Sequence, residues 1–225
     1  MEQVSVQLQG VFILITLLTV FQFYRATAAR KSFLLVVILW MLLQLILGLK
    51  GFYYLKETIP PRFILLVFPP LLLILMLFGT PGGRRYMDKL NTAELTLLHC
   101  VRLPVEIVLY FLFISKVIPE LMTFKGYNFD VLMGLTAPFV YYFGYLKRKL
   151  SRTVLLIWNL TGLCLLLNIV VLAILSAPTP LQRIAFDQPN LAVSHFPFNW
   201  LPSVIVPLVL FSHLASIRQL LFKDK

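Results

Sequence analysis

Thr92–Ser115 reads TAELTLLHCVRLPVEIVLYFLFIS, an apolar run with His99, Arg102 and Glu106 set inside it. A helix over this stretch is about 36 Å long, enough to cross a hydrocarbon layer of about 30 Å. At about 100° per residue, His99, Arg102, Glu106 and Tyr110 fall within an arc of roughly 80°. One face of the helix is therefore polar through its middle. Ionisable groups are costly in lipid, so that face must turn inward against other helices.

Those helices are readable on both sides of the stretch. Val4–Tyr24, Ser32–Leu49, Phe63–Thr80, Val131–Leu146, Thr153–Ser176 and Asn199–Leu221 are each apolar over about the length of a span, the Val131–Leu146 run being the shortest. The expected fold is an all-α integral membrane protein, a seven-transmembrane-helix bundle forming one domain over residues 1–225. Composition agrees: 60% of residues are hydrophobic and 13% charged, against about 25% charged in a soluble domain.

Orientation follows from where the basic residues fall. Arg25, Arg30, Lys31, Arg84, Arg85, Lys89, Lys147, Arg148, Lys149, Arg152, Arg218, Lys223 and Lys225 lie on one side of the seven runs. Lys50, Lys56, Arg62, Lys116, Lys125 and Arg183 lie on the other. Thirteen against six puts the first side in the cytoplasm, with the N-terminus outside and the C-terminus inside. The Ala26-Thr27-Ala28 triplet resembles a signal cleavage site. Yet the leading segment carries Glu2 and no basic residue, and Arg25, Arg30 and Lys31 follow the apolar run, so a retained helix is expected.

The net charge of +11 is dispersed in short clusters, which sets it apart from the continuous stripe that tracks a phosphate backbone; no nucleic-acid partner is expected. Cys100 and Cys164 both fall in apolar runs and read as packing residues. Asn91 and Glu94 have the spacing of a capping box that starts the fourth helix at Thr92. Asn159-Leu160-Thr161 matches a glycosylation acceptor but lies within a span. The long outer connection, Ala177–Phe198, is rich in proline and phenylalanine and reads as a packed loop or a lid.

Arg102 and Glu106 are four apart and can pair along their helix, either to hold neighbouring helices or to meet an anionic group. Pro104 lies between them and removes a backbone hydrogen bond. On the seventh helix Asn199, Ser203 and His213 share an arc of roughly 80°. Counting about 1.5 Å per residue, His99, Asn159 and His213 reach one level in the inner third of the membrane. The candidate binding residues are therefore His99, Arg102, Glu106, Tyr110, Asn159, Asn199, Ser203 and His213, between the fourth, sixth and seventh helices.

No cofactor or metal is expected. His99 and Glu106 are about 10 Å apart along the axis, and the chain lacks the His-x-x-x-His pair of zinc-binding seven-helix proteins. A lysine within the last helix, needed for a retinal Schiff base, is absent, as is the proline-glutamine motif of seven-helix sugar exporters. The expected function is transport of a small solute, an anion among the candidates, in a bacterial cytoplasmic membrane. A non-catalytic sensor or assembly partner is the alternative. So is an intramembrane enzyme acting on a lipid by His and Glu chemistry.

Overall fold

A computed structural model describes residues 3–28, 30–54 and 61–222. Lys56, Lys223 and Lys225, which entered the charge comparison, and Glu2, which entered the signal reading, lie outside the described residues. Every regular element among the described residues is helical. In chain order they are α1 (Val6–Ala26), α2 (Lys31–Leu49), α3 (Ile64–Gly79), α4 (Pro81–Met87), α5 (Thr92–Ile114), α6 (Val131–Leu146), α7 (Arg152–Ser176) and α8 (Leu201–Phe222).

Five of these, α1, α2, α5, α7 and α8, are long and apolar enough to cross a membrane. A sixth counts if α3 and α4 are one span, but they meet at a 98° bend. Thr80 makes the break: its hydroxyl accepts from the Gly83 amide at 3.1 Å, and Pro81 opens the next helix. The seventh apolar helix, α6, is shorter. Pro138 lies within it and lacks the amide that would close its turn, and the helix continues over Tyr141–Leu146 with wider π turns.

Polar side chains join the apolar core while large apolar ones stay on the outside. Thr16, Gln44, His99, Arg102, Glu106, Asn159 and His213 are buried, whereas Leu39, Leu75, Phe139 and Ile157 stand exposed on the outer surface.

The helix ends are tied from several directions. Asn91 caps α5 by accepting from the Ala93 and Glu94 amides at 3.0 and 3.3 Å. The reciprocal half of the capping box is absent, because the Glu94 carboxylate accepts from Gln22 and Arg25 of α1, at 2.7 and 2.8 Å. Arg218 grips Asp88 with two bonds of 3.0 Å. The long Ala177–Phe198 connection is pinned rather than free: Gln188 donates to the carbonyls of Phe113 and Ile118, and the amides of Leu191 and Ala192 donate to that of Val117.

Candidate functional site: a buried ionic network

Pro104 shapes the centre of α5. It has no amide to offer the carbonyl of Cys100, and the helix tightens to 3-10 geometry over His99–Val101 before resuming at Arg102. Thr96, His99, Arg102 and Glu106 all stay on the buried side of this helix.

Two glycines bring neighbouring helices close to that side. A Cβ at Gly134 would lie 2.9 Å from the Leu103 side chain and within 3.1 Å of its Cα, so only glycine lets α6 press on α5 there. Asp130 is one turn before Gly134 and so reaches Arg102. A Cβ at Gly162 would come within 2.6 Å of His213 Nε2. Its absence seats the imidazole of α8 against α7 and exposes the Gly162 carbonyl.

Arg102 is the hub. Its Nε is 3.1 Å from Asp130 Oδ2, its Nη2 donates to the Gly162 carbonyl at 2.9 Å, and its Nη1 is 3.3 Å from His213 Nε2. The expected pairing along the helix with Glu106 is not formed. Glu106 instead accepts from Asn128 Nδ2, which also donates to the Met122 carbonyl at 3.1 Å. The reason is competition: Asp130, at the start of α6, brings its carboxylate to ion-pair distance of the guanidinium, and Asn128 takes up Glu106.

On its other side, His213 Nδ1 is 3.0 Å from Asn159 Oδ1, and Asn159 Nδ2 donates to the Leu155 carbonyl at 2.8 Å. His99 stacks on His213 with ring centroids 3.8 Å apart and the planes inclined by 18°, and meets Trp158 edge-on at 5.4 Å. Neither ring nitrogen of His99 has a hydrogen-bond partner, although the residue is fully buried.

Above this layer, Arg102, Glu106 and Asp130 line a cavity of about 40 Å³, closed by Leu166 of α7 and by Ile205 and Val209 of α8. That is room for one or two water molecules. Glu106 Oε2 and Asp130 Oδ1 both lack a hydrogen-bond partner. Among the described residues no group of three His, Cys, Asp or Glu side chains is placed to hold a metal ion.

Of the expected site residues, His99, Arg102, Glu106, Asn159 and His213 therefore converge. Tyr110 does not: its ring lies under Lys125 Nζ at 4.9 Å and packs on Phe124. Asn199 and Ser203 serve a different joint. Asn199 Nδ2 donates to the Gln44 carbonyl at 2.8 Å, and Trp40 of α2 donates to the Ser203 carbonyl at 2.9 Å. Pro207 explains the second bond, since it leaves that carbonyl without its helical donor. Both residues thus dock α8 on α2, and the prolines and the π turns of Leu201–Ile205 turn their face away from the Arg102 side.

Sequence reasoning missed Asp130, Asn128 and Gly162. Asp130 precedes the fifth apolar run and reads as loop, yet the chain before it descends into the bundle and leaves Asp130 buried beside Arg102. An acidic residue at the very edge of an unusually short apolar run was the available signal.

The model of a family described as a domain of unknown function (DUF8737) matches residues 59–221, which include every residue of the ionic network. No curated protein and no solved structure matches the chain.

Proposed function

The chain belongs to the family of the DUF8737 domain, and on the geometry of its network we propose that it is a membrane carrier for protons or a small cation. In this reading all seven apolar helices are membrane segments, the α3–α4 bend lies at the cytoplasmic boundary, the N-terminus is outside and the C-terminus inside. The membrane is the cytoplasmic membrane of a bacterium. The charge bias of the connections supports the orientation, and the exposed apolar exterior supports the lipid environment.

One observation carries the transport reading. Two buried carboxyl groups, Glu106 and Asp130, line one cavity with a single guanidinium, which pairs with Asp130 alone, and each has an oxygen that has no partner. With all three ionised, the site carries a net negative charge in a medium where an unpaired ion is very costly. A proton or a small cation relieves it. An anion is less favoured than the spacing of Arg102 and Glu106 alone suggests, because Arg102 already meets Asp130, His213 and Gly162. Arg102 is ten residues into α5, about 15 Å from its start, which is near the middle of a hydrocarbon layer. Alternation of access at a midplane site between interrupted helices is a known carrier design.

The test is proton and sodium flux into liposomes holding the purified chain and a pH-sensitive dye. Flux that falls at least tenfold in Glu106→Gln and Asp130→Asn variants, both still monodisperse, is the expected result. Equal flux in the parent and both variants overturns the site. A second reading, a non-transporting bundle held together by the network, is favoured by the full engagement of Arg102. It is the one left standing if empty and loaded liposomes behave alike.

A further inference from the structure

A second cavity is on the opposite face of α8 from the ionic network. It encloses about 210 Å³ between α1, α2, α3 and α8, several times the roughly 30 Å³ share of one water. Its walls are almost wholly apolar: Phe23, Phe33, Trp40, Pro70, Ile74 and Phe211 are among them. Val36 and Leu73 on its rim are exposed, so the groove opens sideways onto the outer surface of the bundle. Residues Phe33 to Trp40 of α2 and Ser203 to Phe211 of α8 line it, which makes it about 10–12 Å long on the helical rise.

One end has a distinct chemistry. Tyr86 of α4 closes the groove there, and the Arg30 guanidinium lies 5.6 Å from the centre of its ring. Arg30, Lys31, Arg84 and Arg85 are all exposed at this end. The nearby acids are already taken, Asp88 by Arg218 and Glu94 by Arg25. Among the described residues, none of the four basic side chains has a carboxylate at ion-pair distance.

An apolar slot that opens to the bilayer and ends at unneutralised basic residues matches one kind of molecule. We infer that the groove between α1, α2, α3 and α8 holds an acyl chain of an anionic phospholipid, with its phosphate drawn to Arg30, Lys31, Arg84 and Arg85. The inference rests on the membrane reading above and is independent of the carrier reading. The sharp turn from α3 into α4 is what brings Arg84 and Arg85 to the level of the headgroups. Each basic residue near an anionic leaflet strengthens lipid binding by about fivefold.

Trp40 reports on occupancy, because its indole lines the groove and is held by its bond to the Ser203 carbonyl. The full chain is reconstituted in phosphatidylcholine vesicles containing increasing fractions of a lipid brominated on its acyl chains. The lipid is either phosphatidylglycerol or phosphatidylcholine. The fluorescence of a Trp40→Phe variant, subtracted, isolates the Trp40 signal. Half-maximal quenching at a mole fraction at least fivefold lower for brominated phosphatidylglycerol is expected, and an Arg30→Ala/Arg84→Ala variant should lose that preference while keeping the phosphatidylcholine curve. Superposed curves for the two lipids in the parent, or no quenching of Trp40, overturn the inference. A chain that fails to float with the vesicles overturns the membrane reading along with it.

Discussion

His213 Nε2 faces Arg102 Nη1 at 3.3 Å, and a guanidinium can only donate. His213 must therefore accept at Nε2 and carry its proton on Nδ1, where the Asn159 Oδ1 acceptor lies at 3.0 Å. The Asn159 orientation agrees, since its amide nitrogen is used by the Leu155 carbonyl. Nitrogen-15 spectra of histidine-labelled protein, assigned with a His99→Gln variant, should show His213 as the neutral Nδ1-protonated form near pH 7. A resonance from the Nε2-protonated form would show that the network is wired differently.

The choice of Asp130 over Glu106 as the partner of Arg102 separates two substitutions that look alike in sequence. Asp130→Asn leaves a buried guanidinium without its counter-ion and should cost about 3–5 kcal/mol. Glu106→Gln keeps an acceptor for Asn128 and removes a buried charge, so it should change stability by less than about 1 kcal/mol. Thermal melting in detergent, read by size exclusion, measures both. Comparable losses would restore Glu106 as the principal partner.

Gly162 and Gly82 are both glycines within helices but meet different surroundings. A methyl group at Gly162 collides with the His213 imidazole, whereas at Gly82 nothing lies within 4 Å. Gly162→Ala should lower stability by about 1–3 kcal/mol through overpacking. Gly82→Ala should be neutral or raise it by up to about 1 kcal/mol. The same melting assay decides, and equal effects would remove the close approach of α7 and α8 as the cause.

The Trp40 indole substitutes for the amide that Pro207 lacks. Trp40→Phe should cost about 1 kcal/mol for the lost bond. In a Pro207→Ala background the amide of residue 207 can serve the Ser203 carbonyl, so the same change should cost distinctly less. A double-mutant cycle reads this coupling directly. Additive losses would mean that the two donors do not share the acceptor.

His195 of the Ala177–Phe198 connection stacks on Tyr54 with centroids 4.0 Å apart, and burial holds its imidazole below the ordinary value of about 6.5. The unfolded chain then takes up this proton at higher pH than the folded one. The contribution of His195 is intact above about pH 6.5 and is lost as pH falls below it. Melting at pH 7.5 and 5.5 should show a smaller drop for His195→Phe than for the parent. An unchanged drop would exclude His195 as a source of the acid sensitivity.

The apolar runs were enough to place the long helices, the Asn91 cap and the inward side of α5, because each is decided within a few turns of one segment, but not the helix α4 or the 98° bend before it. Polar side chains on α5 had to face protein whatever the partners were. Which partners they met was set by the rotation, depth and approach of other helices. Gly134 and Gly162 control that approach, and the descent of the chain before Asp130 supplies an acid that no count of spans assigns to the interior. Asn199 and Ser203 share an arc with His213 on an ideal helix, but Pro202, Pro207 and the π turns break that register and leave them facing α2. Spacing along one helix defines which residues share a face; only the packed bundle defines what that face touches.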